Sequence, residues 1–138
     1  MTSPQPGQLV GYARVSMGHQ AMDAQHDALE AVGVSRVFED TMSGIRSDRP
    51  GLAAALDYLR EGDVLVVAAL DRLGRSLVDT VNTIDGLRKR GIYVRALREG
   101  VDTSTPAGRM VAGVFASLAE LERELIHERA AVAREAAK

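Results

Sequence analysis

Cysteine is absent from this 138-residue chain, which excludes a disulfide framework and thiolate metal sites. Long apolar runs are also missing, because no stretch reaches the roughly 18 residues that a membrane-spanning helix needs, and no signal-peptide pattern opens the chain. We therefore expect a cytoplasmic protein with no membrane contact. The chain also has almost no excess of positive or negative charge. The formal net charge is −2, so any nucleic-acid role must come from local charge.

Several catalytic signatures are missing too. The P-loop pattern Gly-x-x-x-x-Gly-Lys is absent, which argues against a nucleoside triphosphatase. The acyl-hydrolase pattern Gly-x-Ser-x-Gly is also absent, and no histidine is an obvious base for a triad. The three histidines are scattered, and we interpret the one nearest a serine, His19, as solvent-facing. Without a carboxylate pair at metal spacing, we predict neither a metal nor a cofactor.

Apolar and charged residues, at 46% and 26%, are in the proportions of an ordinary globular domain. Strands alternate with helices, which predicts an α/β fold with a mostly parallel four- to five-stranded sheet flanked by helices. The predicted strands span residues 9–16, 34–39, 64–70 and 92–97, and the predicted helices span residues 20–32, 50–60, 77–90 and 106–137. We divide the chain into a flexible leader (1–8), a catalytic domain (9–105) and a long helix (106–138), with a mobile loop over 40–49.

The first predicted strand ends in a serine. Its alternation places Tyr12, Arg14 and Ser16 on one side, so that a phenol, a guanidinium and a hydroxyl approach the same region. Ser16 follows the carboxyl end of the strand, which is the edge where ligands bind in open α/β sheets. The alternative is an ordinary strand with chance polar residues near its end.

Arginines converge on the same edge. The run Asp71-Arg72-Leu73-Gly74-Arg75 leaves the predicted central strand, and the carboxyl ends of neighbouring parallel strands lie together. With the 40–49 loop, up to five guanidiniums surround one hydroxyl: Arg14, Arg46, Arg49, Arg72 and Arg75. We expect such a cluster to repel itself unless an anion occupies it. Guanidiniums match phosphate oxygens, so the pattern predicts phosphoryl transfer to a serine.

The last helix is longer than the rest of the domain is wide. Over about 32 residues it would measure roughly 48 Å, so part of it must project. An apolar seam with 3-4-3-4 spacing runs along it, formed by Val111, Val114, Leu118, Leu121 and Leu125 and widened by Met110, Phe115 and Ile126. We expect a helix that packs on its own domain and also dimerises. The alternative is a helix packed entirely on its own sheet.

Several ordered motifs together resemble one family. They are Tyr12-Ala13-Arg14-Val15-Ser16, Gln20, Gln25, Ser43-Gly44, Asp48-Arg49, Gly62-Asp63, Asp71-Arg72-Leu73-Gly74-Arg75 and the Glu120-to-Arg129 segment. The pattern resembles the catalytic domain of the serine recombinases, the resolvases and DNA invertases, from about residue 9 to 134. The resemblance implies a bacterial or mobile-element protein whose DNA-bound dimer assembles into a tetramer for strand exchange.

The resemblance also implies residue roles. Ser16 would attack a DNA phosphodiester and form a 5′-phosphoserine link, with Asp71 as a candidate proton donor to the leaving 3′-oxygen. The phosphate-binding arginines would be Arg14, Arg49, Arg72 and Arg75, and the supporting residues Tyr12, Gln20, Gln25 and Arg123. No family position matches Arg46. Family members continue past the long helix into a DNA-reading domain, so we expect little sequence specificity from residues 1–138.

Two other classes of function stay open at this point. A catalytically silent regulatory module of similar fold would bind phosphate without cutting DNA. A nicking hydrolase would cut DNA and leave the ends free. A covalent protein–DNA adduct would distinguish a recombinase from both.

Overall fold

The computed structural model of the chain describes residues 7–15, 19–41 and 49–136, with the backbone alone described at residues 19 and 20. The strands are β1 (Leu9–Val15), β2 (Arg36–Thr41), β3 (Val64–Val67), β4 (Tyr93–Ala96) and β5 (Val101–Asp102). The helices are α1 (His19–Val32), α2 (Pro50–Tyr58), α3 (Leu77–Lys89) and α4 (Pro106–Ala136). Each helix in these ranges is too short or too polar to span a lipid bilayer.

The five strands form one sheet in the order β2-β1-β3-β4-β5. All neighbouring pairs are parallel except β4 with β5, so the predicted α/β fold with a mostly parallel sheet is confirmed. All four residues of β3 are buried, as predicted for the central strand. The strand order reverses at β1 and β3, and a crevice opens beyond the carboxyl ends of the strands at such a point.

Several predicted boundaries are wrong. The apolar run over 64–70 is not strand throughout, because β3 ends at Val67 and a 3-10 turn spans Leu70–Arg72. In this turn, the Arg72 N–H donates to the Ala69 carbonyl and the Leu73 N–H donates to the Leu70 carbonyl. β2 begins two residues later than predicted, because Gly33, which follows the end of α1 at Val32, has a φ of +93° and strand pairing starts only at Arg36. The leader prediction covers residues 1–8, of which only 7 and 8 are described, and the Gln8 N–H donates to Asp63 Oδ1 at 2.9 Å.

Helices cover both faces of the sheet. On one face, α1 packs Met22 and Leu29 against Ala13 and Val15 of β1. On the other face lies the larger core, which holds Val10, Tyr12, Phe38, Leu52, Ala55, Leu59, Leu65, Val67, Leu70, Leu73, Leu87, Ile92, Val94, Ala96 and Val101. The alternation along β1 therefore divides its side chains between two cores, and Tyr12 belongs to the larger one.

The long helix α4 begins against β5 and then leaves the domain. Thr105 Oγ1 accepts the Gly108 N–H at 3.0 Å, and a Cβ on Gly108 would lie 1.7 Å from the Asp102 carbonyl oxygen. All residues from Leu121 to Ala136 are exposed, so the second half of α4 projects as predicted, and the alternative of a fully packed helix is wrong.

The apolar seam predicted on α4 is divided between two surfaces, and the expected packing of the helix on its own domain is confirmed. Val111 and Phe115 pack against the domain's own core. At about 100° per residue, they lie on the side of the helix that faces the sheet. The exposed stripe consists of Met110, Val114, Leu118, Leu121 and Leu125. This exposed stripe is an apolar surface of α4 that remains available to a partner.

Candidate active site at the carboxyl ends of the strands

The end of β1 is held by Gln25 of α1. The Arg14 N–H donates to Gln25 Oε1 at 3.0 Å, and Gln25 Nε2 donates to the Arg14 carbonyl at 2.9 Å. Gln25 is buried, so these two hydrogen bonds satisfy both its amide and the strand backbone. The supporting residue Gln25 is thus in direct contact with the strand that leads to Ser16. Ser16 itself, Arg46 and the Gln20 side chain lie outside the described residues.

The Arg14 guanidinium crosses from β1 to the turn that follows β3. Its Nη2 donates to the backbone carbonyls of Asp71 and Gly74, the latter at 3.1 Å. Burial lowers the pKa of Arg14, and the nearby positive charges of Arg49 and Arg72 lower it further. An arginine stays protonated under such shifts, so three cationic groups share this region.

Arg49 docks on the same turn from the start of α2. Its Nη1 donates to the Leu73 carbonyl at 2.8 Å, and its Nη2 pairs with Asp79 Oδ2 at 3.1 Å. The Asp79 carboxylate also accepts the Arg75 N–H at 3.0 Å. Asp79, which the sequence analysis missed, therefore ties Arg49 to the backbone of the turn. Its signal was its position in the first turn of α3, three residues after the capping Ser76.

The turn over residues 71–75 offers carbonyl oxygens to the arginines because it passes close to α3. A Cβ on Gly74 would lie 2.4 Å from the Thr80 nitrogen, so only glycine permits this approach. Arg72 Nε lies 3.7 Å from Asp71 Oδ1, and the side chains of Arg72 and Arg75 reach towards solvent. Those two arginines are therefore the more accessible members of the cluster.

The structure corrects one expectation about this cluster. Backbone carbonyls and the Asp79 carboxylate already offset the mutual repulsion of Arg14 and Arg49. An anion is therefore not the only partner that can hold these guanidiniums together. In the described ranges, no three His, Asp or Glu side chains are close enough to share a metal ion.

Tyr12 is fully buried and donates to Asp40 Oδ2 at 2.7 Å. Burial raises the pKa of Tyr12, and the hydrogen bond to the Asp40 carboxylate raises it further. Asp40 also accepts the N–H groups of Gly51 and Leu52 at 2.7 and 2.9 Å, so it caps the start of α2. The sequence analysis missed Asp40. Its signal was a carboxylate at the end of a predicted strand, next to the strand of Tyr12.

Two further charged residues, Arg98 and Glu99, reach this site from the segment that follows β4. Arg98 Nη2 lies 3.3 Å from Asp71 Oδ2 and 3.0 Å from Glu99 Oε2. Glu99 Oε1 accepts the Leu70 N–H at 3.1 Å. The sequence analysis missed both residues, although their position after a predicted parallel strand was a signal. They extend the polar site from β1 and β3 to β4.

Arg123 is not brought together with these residues. It is exposed on α4 and lines a groove of about 740 Å³ between α3 and α4. Other lining residues are Arg88 on α3 and Tyr93 at the amino end of β4. The predicted role of Arg123 in the active site therefore stays a prediction.

Comparison with known proteins decides the family. The sequence matches the family described as "Resolvase, N terminal domain" over residues 9–138. The chain belongs to the resolvase family. Among its relatives are a serine recombinase, gin, of Escherichia phage Mu and a DNA-invertase of Escherichia phage P1. The resemblance seen in the motifs is therefore confirmed.

The similarity covers most of this chain but only part of the length of each relative. Identity to the phage Mu recombinase is 51% over 121 residues, which are 88% of this chain and 63% of that protein. Identity to the phage P1 invertase is 48% over 130 residues, 94% of this chain and 70% of that protein. The chain thus spans just under two thirds of the phage Mu relative.

A solved structure is also similar to this chain. The N-terminal catalytic domain of TP901-1 integrase superposes with a TM-score of 0.69 at 32% identity. The superposition covers 86% of this chain and 98% of that domain. The residues of this chain therefore correspond to a catalytic domain in both sequence and fold.

Proposed function

We propose that this chain is the catalytic domain of a site-specific DNA recombinase that breaks and rejoins DNA through Ser16. Membership of the resolvase family, with relatives named recombinase and invertase, supports the proposal. The observation that carries it is the docking of Arg14 and Arg49 on the turn over 71–75, beside the strand that runs into Ser16. The guanidiniums of Arg14 and Arg49 are thereby fixed at the edge of the sheet where, in this proposal, Ser16 attacks the phosphate.

In the proposed reaction, Ser16 Oγ attacks the phosphorus and the bond from phosphorus to the 3′-oxygen breaks. Asp71 takes up a proton from water and gives it to the 3′-oxygen as that bond breaks, which returns Asp71 to the carboxylate, and the Ser16 proton passes to water. The phosphodiester energy is kept in the 5′-phosphoserine bond, so strand exchange and rejoining need no ATP. Guanidinium groups stabilise the charge on the equatorial oxygens.

The remaining site residues have distinct parts in this proposal. Arg72 and Arg75, which are the more accessible, contact the phosphate, while Arg14 and Arg49 shape the turn and add charge. Tyr12 and Gln25 position β1 through Asp40 and the Arg14 backbone, and Gln20 supports the same region. Arg123 joins the site from α4. No metal or cofactor takes part in this scheme.

We further propose that two copies associate through the exposed stripe on α4. The stripe presents five apolar side chains to solvent, and each fully buried one would stabilise association by about 1.5–3 kcal/mol. A two-fold dimer also suits cutting two strands related by symmetry. Two such dimers would form the tetramer in which strands exchange on DNA.

The test is a covalent adduct. The chain is incubated with supercoiled DNA that carries candidate crossover sites, the mixture is quenched with denaturant, and protein-linked fragments are sought. We expect a 5′-phosphoserine link that Ser16→Ala abolishes without loss of folding. Chelator should leave this step unaffected. DNA cut without an adduct would indicate a nicking hydrolase, and phosphate binding without cleavage would indicate a silent module.

A further inference from the structure

Arg98 is placed beside Asp71 by the pairing of two strands. Its backbone N–H donates to the Ala68 carbonyl at 2.8 Å. Ala68 is one residue beyond the last paired residue of β3, and Arg98 is two residues beyond that of β4. This hydrogen bond carries the parallel register past the end of the sheet. Arg98 therefore starts from a fixed point next to the segment that leads from β3 into Asp71.

The Arg98 guanidinium is held along one edge, through Nε and Nη2. Glu99 accepts from Arg98 Nη2 at 3.0 Å and from Nε at 3.3 Å, while its other oxygen accepts the Leu70 N–H. Arg98 Nη2 in turn reaches Asp71 Oδ2 at 3.3 Å. We call Arg98 and Glu99 the β4 clamp. In this clamp, Glu99 binds the Leu70 N–H just before Asp71, and Arg98 binds the Asp71 carboxyl group.

Asp71 has a second cation on its other oxygen. Arg72 Nε lies 3.7 Å from Asp71 Oδ1. The Asp71 backbone carbonyl accepts a hydrogen bond from the Arg14 guanidinium. Two carboxylates and two guanidiniums thus alternate in the order Glu99, Arg98, Asp71 and Arg72. If Arg98 were removed, Arg72 would be the one cation left beside Asp71 in this series of four side chains. The carboxyl group would then turn towards an arginine that the proposed reaction needs for phosphate.

We propose that Arg98 is a positioning residue for strand cleavage, which acts by orienting the Asp71 carboxyl group towards the leaving 3′-oxygen. The inference rests on the proposed function. It differs from a direct role in DNA binding, because the Arg98 charge is already engaged by two carboxylates. Its effect should therefore appear in the rate of bond breaking and not in DNA affinity.

The leaving group gives a sharp test. A thiol has a far lower pKa than an alcohol, so a 3′-thiolate can leave without being protonated, whereas a 3′-alkoxide needs a proton. Adduct formation is measured at saturating DNA on two substrates, with oxygen or sulfur at the 3′-bridging position. We expect Arg98→Ala to slow cleavage about tenfold with oxygen and less than about twofold with sulfur. Arg98→Lys should lie between, because lysine keeps the charge but has one ammonium in place of the two donors, Nη2 and Nε, that fix the guanidinium on Glu99.

Arg60→Ala is the matched control. It removes the same charge from an exposed arginine that precedes β3, at the opposite edge of the sheet. A second readout needs no DNA. The ¹³C resonance of the Asp71 carboxyl carbon should move in Arg98→Ala and stay in place in Arg60→Ala.

The outcomes are distinguishable. Equal slowing on both substrates, weaker DNA binding by Arg98→Ala, or an unmoved Asp71 resonance would each overturn the inference while the proposed function stands. Full-rate cleavage by Arg98→Ala would do the same. An unsubstituted chain that forms no adduct would contradict the proposed function, and the inference would fall with it.

Discussion

The phenol of Tyr12 donates a 2.7 Å hydrogen bond to the carboxylate of Asp40, and the same carboxylate caps the first turn of α2. One buried contact therefore joins the strand that leads to Ser16 with the helix that begins beside Arg49. Both the stability of the domain and the placement of Arg49 depend on it.

Tyr12→Phe should lower the free energy of unfolding by about 1–3 kcal/mol, because the buried Asp40 carboxylate loses one of its donors. Urea unfolding followed by circular dichroism measures the change. Tyr58→Phe is the control, since its hydroxyl makes an exposed hydrogen bond to Gln8, and it should cost less than about 0.5 kcal/mol. Equal losses in the two variants would contradict this account of Asp40.

Arg14→Ala should slow adduct formation by about 10²–10³-fold, because the turn that carries Arg72 and Arg75 loses a partner that positions it and the site loses one positive charge. Arg14→Lys should rescue poorly, because the lysine side chain is shorter and its ammonium does not replace the planar guanidinium whose Nη2 reaches the Asp71 and Gly74 carbonyls. Rates are compared at saturating DNA, with urea unfolding to exclude loss of fold and Arg60→Ala as the charge control. A lysine variant with full activity would show that charge alone matters here.

Gly108→Ala should destabilise the domain by about 1–3 kcal/mol, because its methyl group would collide with the Asp102 carbonyl and lift α4 from β5. Gly113→Ala on the same helix meets no atom within 4 Å and should instead stabilise by up to about 1 kcal/mol through helix propensity. Thermal and urea unfolding of the pair measures the difference. Changes of the same sign in both variants would be inconsistent with this contact.

Leu118→Glu should shift the chain towards monomer in sedimentation equilibrium, because it places a charge in the middle of the exposed stripe. Ala130→Glu adds the same charge to an exposed position on another face of α4 and should leave association unchanged. Urea unfolding of both variants checks that the fold is kept. A strict monomer for the unsubstituted chain at high concentration would rule out the proposed dimer.

The sequence by itself determined the architecture and the edge of the sheet where the site lies. Alternation along β1, the apolar run of β3 and the helical spacing between them are local patterns with periods of 2.0 and 3.6. They place the segments that follow Val15 and Val67 at one edge, whatever the details of packing. The motifs around Ser16 and Arg72 also sufficed to identify the family.

Only the tertiary structure decided the partners. Asp40, Asp79, Arg98 and Glu99 lie in turns or at element ends, where no periodic signal marks a residue, and their partners are separated along the chain by up to 30 residues. Hydrogen-bond geometry depends on strand register and helix placement, which residue type does not specify. The same holds for α4, where apolar positions one residue apart divide between core and solvent. Val111 packs inward and Met110 faces out because the contact of Gly108 with Asp102 sets the rotation of the helix.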